Sequence, residues 1–161
     1  MKSIYKFSYS TRYLLLHPWK LFHEIKVNIT NAWHRVKYGW CWIDLWNMDT
    51  YLLDILPQML HTLAAKADGY PGREPFETPE KWTEWLNSIA DRLENCTEEN
   101  LKKQNEYSEE YMKNLMNHGL HESTELDKKY FAREKELFAG AQKTVQECFT
   151  ELGKHFYLLW D

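Results

Sequence analysis

Residues 38–51 read Tyr-Gly-Trp-Cys-Trp-Ile-Asp-Leu-Trp-Asn-Met-Asp-Thr-Tyr, and we call this stretch the aromatic hub. Three tryptophans lie within seven residues and are interleaved with acidic and amide side chains: Trp40, Trp42 and Trp46 with Asp44, Asn47 and Asp49. Large rings bring much contact area per residue, and their N–H and O–H groups need partners when they are buried. The hub is therefore the region around which we expect the chain to fold, and the predicted place for a ligand.

Two interpretations of the hub remain open from the sequence. In the first, its rings pack in a core between the flanking helices. In the second, they form a slot for a flat ligand that polar side chains orient by hydrogen bonds. Stacking of a nucleobase on such a ring contributes about 1–3 kcal/mol. The candidate ligand-binding residues are Arg35, Trp40, Trp42, Asp44, Trp46, Asn47, Asp49, Tyr51 and Tyr70.

The two acids of the hub are interpreted as helix caps rather than as a catalytic pair. Asp44 and Asp49 are five residues apart, so they face different sides of a helix. Both precede apolar helical patterns, where acids are favoured by the helix dipole. The sequence contains no phosphate-binding glycine loop, nucleophile elbow or zinc-protease motif. We therefore expect a protein that is not an enzyme, with no catalytic residues and no cofactor.

Working outward from the hub, the sequence predicts an all-α bundle of about 4–5 helices in a single domain, 1–161. Pro18 suits a helix start and Gly39 a helix end. Between them, in the predicted first helix (α1), lies a stripe of residues spaced three and four apart. We call it the α1 stripe, and its members are Trp19, Phe22, Lys26, Ile29, Trp33 and Val36. Apolar side chains between 52 and 67 cover more than one helix face, which predicts that this segment is the buried central helix.

The C-terminal half predicts two further helix starts and one long helix. Thr78-Pro79 begins a helix with a stripe that includes Trp82. A long helix is predicted in the range 121–152, with Ser123 or Thr124 as its capping residue. It has a heptad-like seam from Phe131 to Leu152. We expect this helix to form a homo-oligomer through 124–152. Residues 1–16 are predicted to be an N-terminal arm.

Composition limits the classes of partner. The 161 residues have a net charge of −4, yet residues 1–40 hold seven Lys or Arg against one acid, Glu24. So few bases over that length, followed by an acidic remainder, make a nucleic-acid partner unlikely. Three separated cysteines indicate neither a disulfide framework nor a zinc ribbon. His118 and His121 are spaced like metal ligands, but Gly119 predicts a break between them, so no metal site is expected. No stretch is apolar enough for a membrane span or signal peptide, and a cytoplasmic protein is predicted.

Several short motifs lie between residues 17 and 95. The most specific are Trp46-Asn47-x-Asp49-x-Tyr51 and Gly69-Tyr70-Pro71. Others are His17-Pro18-Trp19, Tyr38-Gly39-Trp40 and Thr78-Pro79-Glu80-x-Trp82. Together they resemble an uncharacterised family of small, Trp-rich helical proteins of bacteriophages and prophages. Cys41-Trp42-Ile43 departs from the Ser-Tyr-Ser-like triplet that is more familiar at this point of the family.

The resemblance implies a phage accessory protein that acts in the host cytoplasm against a defence system. In the favoured hypothesis, the hub sequesters a nucleotide-like immune signal. In the first alternative, the protein binds a host defence protein directly, such as a nuclease or a sensor. In the second, it is an assembly factor or structural adaptor of the virion, with its last helix as a coiled coil.

Overall fold

The computed structural model describes residues 16–118 and 124–159. The all-α prediction is confirmed, with seven α-helices and no β-strand among these residues. The helices are α1 (Pro18–Tyr38), α2 (Trp42–Trp46), α3 (Met48–Lys66), α4 (Pro79–Asn95), α5 (Glu98–Gln104), α6 (Ser108–His118) and α7 (Glu125–Lys154), followed by a 3-10 turn (Phe156–Leu158). There are more helices than the 4–5 expected, because short polar breaks divide the predicted segments. The predicted arm, 1–16, lies outside the described residues except for Leu16. His121, one of the two histidines spaced like metal ligands, also lies outside them.

The chain divides into two compact units, Met1–Tyr51 (unit 1) and Leu52–Asp161 (unit 2). The boundary falls inside α3, after its first turn. The single-domain prediction stays a prediction. None of the helices in the described ranges is long and apolar enough to cross a membrane.

Helix ends agree with the local signals in the sequence. Pro18 is the first residue of α1, and Gly39 ends it with φ +80°. Thr78 caps α4 by accepting a hydrogen bond from the Lys81 N–H. Thr124 caps α7, and Asp127 completes a reciprocal capping box by accepting from the Thr124 N–H at 2.6 Å. The long C-terminal helix is therefore confirmed, at Glu125–Lys154.

The core of unit 2 is built on α4 rather than on the segment 52–67. Its buried residues are Leu60 of α3, Phe76, then Trp82, Leu86, Ile89, Ala90 and Leu93 of α4, and Cys148 and Leu152 of α7. The expectation that 52–67 is the buried central helix is therefore corrected: within α3 only Pro57 and Leu60 are buried. The spacing of three and four in α4 places its apolar residues on one face, and that face meets α7. The broader apolar surface of α3 leaves Leu52 and Met59 exposed.

Aromatic and ionic contacts hold α4, the preceding loop and α7 together. Trp82 and Trp85 stack at 5.2 Å between ring centroids, and Phe76 lies edge-on to Trp82 at 4.8 Å. Such ring pairs contribute about 0.5–1.5 kcal/mol beyond their buried area. Arg92 of α4 donates to Glu151 of α7 at 2.7 Å and to Glu147 at 3.2 Å. Unit 2 thus combines a continuous apolar core with an ionic link at its edge.

Candidate functional site

The hub is a helix junction organised by one ion pair. Arg35, near the end of α1, binds the Asp44 carboxylate with both its Nε and Nη2 atoms, and the Nε to Oδ2 distance is 2.9 Å. The same Oδ2 accepts the Cys41 N–H at 2.7 Å and so caps α2. Asp44 is 5% exposed and Cys41 is fully buried. Two-point binding of a guanidinium to a carboxylate fixes geometry as well as charge.

The pair changes the ionisation of both partners. The hydrogen bonds from Arg35, followed by those from Cys41, hold the pKa of Asp44 at about 2, although burial opposes this shift. The hydrogen bond to Asp44 raises the pKa of Arg35 further above its usual range. Asp44 is therefore a fixed anion at neutral pH, unsuited to acid–base work. The interpretation of Asp44 as a cap is confirmed.

Tyr51 closes the junction from the first turn of α3. Its hydroxyl donates to the backbone carbonyl of Gly39, the residue that ends α1. Asn47 lies between α2 and α3, and its carbonyl accepts the Tyr51 N–H at 3.0 Å. Arg35, Asp44 and Tyr51 therefore stabilise the turns of the hub. They are brought together as predicted, but their polar atoms are used within the protein.

The three hub tryptophans lie on the surface. Trp42 is 67% exposed and Trp46 is 78% exposed. They are four residues apart in α2, so their rings are on one face of that helix. Trp40 is partly covered by Tyr38, at 6.1 Å between centroids. The hub rings therefore do not pack in a core, as the first interpretation predicts, because they remain open to solvent.

The remaining candidate residues contribute less to this cluster. Asn47 and Asp49 are exposed. Asp49 lies in the first turn of α3, in agreement with its interpretation as an acid at a helix start. Tyr70 belongs to unit 2, in the loop after α3, and is partly exposed.

The one-sided stripe that the sequence predicts on α1 forms a large exposed apolar surface. All five apolar members of the α1 stripe are exposed, from Trp19 and Trp33 at 63% to Val36 at 82%, and α1 has no buried residue. The sequence signal for this surface was present in the strict spacing of three and four, and in Lys26 in the middle of the stripe. A lysine at that position is compatible with a surface and costly in a core.

Unit 2 contains two other places where polar groups converge. A small cavity beside α5 and α7 is lined by residues that include Leu101, Asn105, Tyr130 and Phe138. Its polar atoms are already paired: the Asn105 amide donates to the Tyr130 carbonyl, and the Tyr130 hydroxyl donates to Glu134. Burial, with the Glu134 bond, raises the pKa of Tyr130 to about 12.

The second place contains residues able to hold a metal. One ligand atom from each of His61, Asp91 and Glu94 lies within 4.8 Å of the others. The sequence offered no signal for this cluster, because His61 is thirty residues before Asp91 and lies on a different helix.

No family model, curated protein or solved structure matches this chain. The function of this chain is therefore inferred from its own residues and their geometry.

Proposed function

We propose that this chain is a non-enzymatic, phage-encoded binding protein that antagonises a host defence system by binding one of its proteins directly. The exposed α1 stripe carries this proposal. The phage origin and the defence setting rest on the resemblance in residues 17–95, and the mode of action rests on the surface of unit 1.

The size of the apolar surface favours a protein partner. Soluble monomers seldom expose a contiguous apolar patch larger than a few hundred Å². The rings of Trp19, Phe22 and Trp33 alone present on the order of 400 Å² along one face of α1. A specific interface buries about 800 Å² on each partner. The three rings thus supply about half of such an area, and Ile29 and Val36 of the same stripe add to it.

The shape and charge of α1 specify the partner. An amphipathic helix binds by laying its apolar face into a groove, with anchors three and four residues apart. Lys26 lies within the stripe and Lys37 follows its last residue, and both lysines are exposed. Glu24 is the one acid in residues 1–40. The fitting partner is therefore a protein with an apolar groove and an acidic rim, such as a regulatory face of a nuclease or sensor.

Copurification tests this proposal with matched variants. The Phe22→Ser/Trp33→Ser protein should fold, because both side chains are exposed, but should lose its host partner and its protection of the phage. Phe149→Ser, at an exposed ring of α7, is the control and should retain both. Native mass spectrometry of the protein from infected, defended cells measures the partner, and phage plating efficiency measures protection. Equal partner capture by the stripe variant and the control would contradict the proposal.

Electrostatic steering provides a second test. Lys26→Glu/Lys37→Glu should slow association and weaken its salt dependence, whereas Lys135→Glu/Lys143→Glu on α7 should change neither. The association rate constant, measured at two salt concentrations, reports the effect. An identical response from both double variants would exclude an acidic rim.

Sequestration of a nucleotide-like signal is a second candidate, favoured by the exposed Trp42 and Trp46 on one face of α2. Its weakness is charge, since Arg35 is already bound to Asp44 and a phosphate would have to compete for it. Quenching of tryptophan fluorescence by cyclic and ADP-ribose-type nucleotides, lost in Trp42→Ala/Trp46→Ala, would support it. Absence of quenching at millimolar nucleotide, with protection intact, would reject it.

Self-association through 124–152 remains part of the proposal and links it to the virion-adaptor alternative. Cys148 and Leu152 of the predicted seam are buried within unit 2, whereas Phe131 and Phe138 stay about half exposed. These two rings, one heptad apart, are the surface left for a second copy. The mass of wild type and Phe138→Ser in solution tests this, and recovery of the protein in purified particles would favour the adaptor role.

A further inference from the structure

The cluster of His61, Asp91 and Glu94 in unit 2 has the geometry of a metal site. His61 is on α3, and the two acids are three residues apart on α4, so both project from the same face of that helix. The His61 Nε2 atom is 3.4 Å from Asp91 Oδ1. A zinc ion with bonds of about 2.0–2.1 Å holds tetrahedral ligand atoms about 3.3–3.4 Å apart. His61 and Asp91 are thus already at the spacing of two zinc ligands.

A third side chain orients the histidine. The Nδ1 atom of His61 is 2.7 Å from the Asn87 side-chain carbonyl oxygen, which can only accept a hydrogen bond. A ring that donates from Nδ1 to this oxygen keeps the Nε2 lone pair for a metal ion. Metal-binding histidines characteristically donate their second N–H to an oxygen acceptor in this way, which fixes the tautomer and the ring orientation. Asn87 is in the position of such a supporting residue.

This orientation directs the Nε2 atom of His61 towards Asp91, at 3.4 Å from its Oδ1 atom. Glu94 adds a second carboxylate beside the same point, within 4.8 Å of the other two ligand atoms. An ion bound between them would therefore meet one nitrogen and two carboxylate ligands, and the two negative charges would attract a divalent cation.

The neighbouring base does not neutralise these acids. Arg92, between Asp91 and Glu94 in sequence, is bound to Glu147 and Glu151 of α7. Asp91 and Glu94 are both exposed, so a rotation of the Glu94 side chain can bring its carboxylate onto an ion at His61 and Asp91. Solvent supplies the remaining coordination position.

We propose that His61, Asp91 and Glu94 form a binding site for one divalent transition-metal ion, with zinc as the reference ion and Asn87 as the positioning residue. One nitrogen and two carboxylate ligands suit zinc and its neighbours, whereas calcium and magnesium require more oxygen ligands. The ion joins α3 to α4 and so stabilises unit 2. The proposal is independent of the function proposed for unit 1.

Titration of the full chain with zinc chloride tests the site. Isothermal calorimetry should give one zinc per chain, and the melting temperature of unit 2 should rise with zinc concentration. Asp91→Asn/Glu94→Gln should weaken binding by at least about 10-fold, and Asn87→Ala by about 10-fold without changing the stoichiometry. Glu109→Gln/Glu110→Gln removes two exposed acids of α6, on another helix of unit 2, and should bind zinc like the wild type.

X-ray absorption spectroscopy distinguishes this site from adventitious binding of zinc to other histidines. The expected zinc environment has one imidazole nitrogen with oxygen ligands, and the His61→Gln variant should lose the nitrogen. Several imidazoles around zinc, equal affinity in the ligand and control variants, or no saturable binding below millimolar zinc would each overturn the proposal. The last result would leave His61 and Asp91 as a surface ion pair only.

Discussion

Units 1 and 2 both hold clusters of tryptophan, yet they use them in opposite ways. In unit 2, Trp82 is 2% exposed and packs against Trp85 and Phe76 within an apolar core. In unit 1, the described residues 16–51 bury only Cys41 and Asp44, and Trp42 and Trp46 point to solvent. Unit 2 is held by burial of apolar area, whereas unit 1 is held by helix ends, one ion pair and one tyrosine hydrogen bond. An excess of tryptophan therefore identifies neither a core nor a binding surface by itself.

The largest expected difference in stability between the two units comes from a pair of alanine substitutions. Trp82→Ala removes a fully buried ring and should destabilise unit 2 by about 3–5 kcal/mol. Trp46→Ala, at an exposed ring of unit 1, should change stability by less than about 0.5 kcal/mol. Hydrogen exchange read by mass spectrometry follows each unit separately. Similar effects from the two substitutions would remove the distinction between the units.

Asp44→Asn should sharpen the contrast, because it removes the buried ion pair that organises unit 1, whereas the ion pairs of Arg92 in unit 2 lie at the edge of an apolar core. Lowering the pKa of Asp44 from 3.8 to about 2 stabilises the folded state by on the order of 2 kcal/mol at neutral pH. Because the folded pKa is depressed, this contribution is present above about pH 4 and is lost as the pH falls towards 2. Exchange in unit 1 should accelerate over that window in the wild type and not in the variant. Asp49→Asn, at an exposed first-turn acid, serves as the control, and an acid response equal to that of Asp44→Asn would argue against the ion pair.

Two glycine substitutions should have smaller effects than Trp82→Ala and Asp44→Asn, and in opposite directions. Gly39→Ala should cost about 1 kcal/mol, because φ +80° strains any L side chain even though the added Cβ meets no atom. Gly140→Ala, inside α7, should stabilise unit 2 by about 0.5–1 kcal/mol, since its Cβ also meets open space and alanine favours a helix. Chemical denaturation of both variants checks the sign. A stabilised Gly39→Ala protein would show that the left-handed turn does not hold the end of α1.

The helix ends and the exposed stripe show where sequence reasoning succeeded and where it failed. Pro18, Gly39, Thr78 and Thr124 mark helix limits as predicted, and Asp44 acts as a cap. The stripe of α1 was recognised as one-sided, but the sequence did not indicate whether it would be covered. The segment 52–67 was predicted to be the buried central helix because its apolar residues cover more than one face, whereas the structure buries the more one-sided segment 79–95. The cluster of His61, Asp91 and Glu94 was not foreseen, since no spacing rule joins residues of α3 and α4.

The sequence by itself determined the helices of this protein, because caps, proline, glycine and side-chain periodicity act within about four residues of one another. Only the tertiary structure decided which of two similar apolar stripes would be covered. Burial requires a second surface, and α4 finds one in α7 while the residues of α1 stay open to solvent. The same dependence on distant neighbours turned Arg35 and Asp44 from candidate ligand contacts into an internal bond, and brought His61 to the acids of α4.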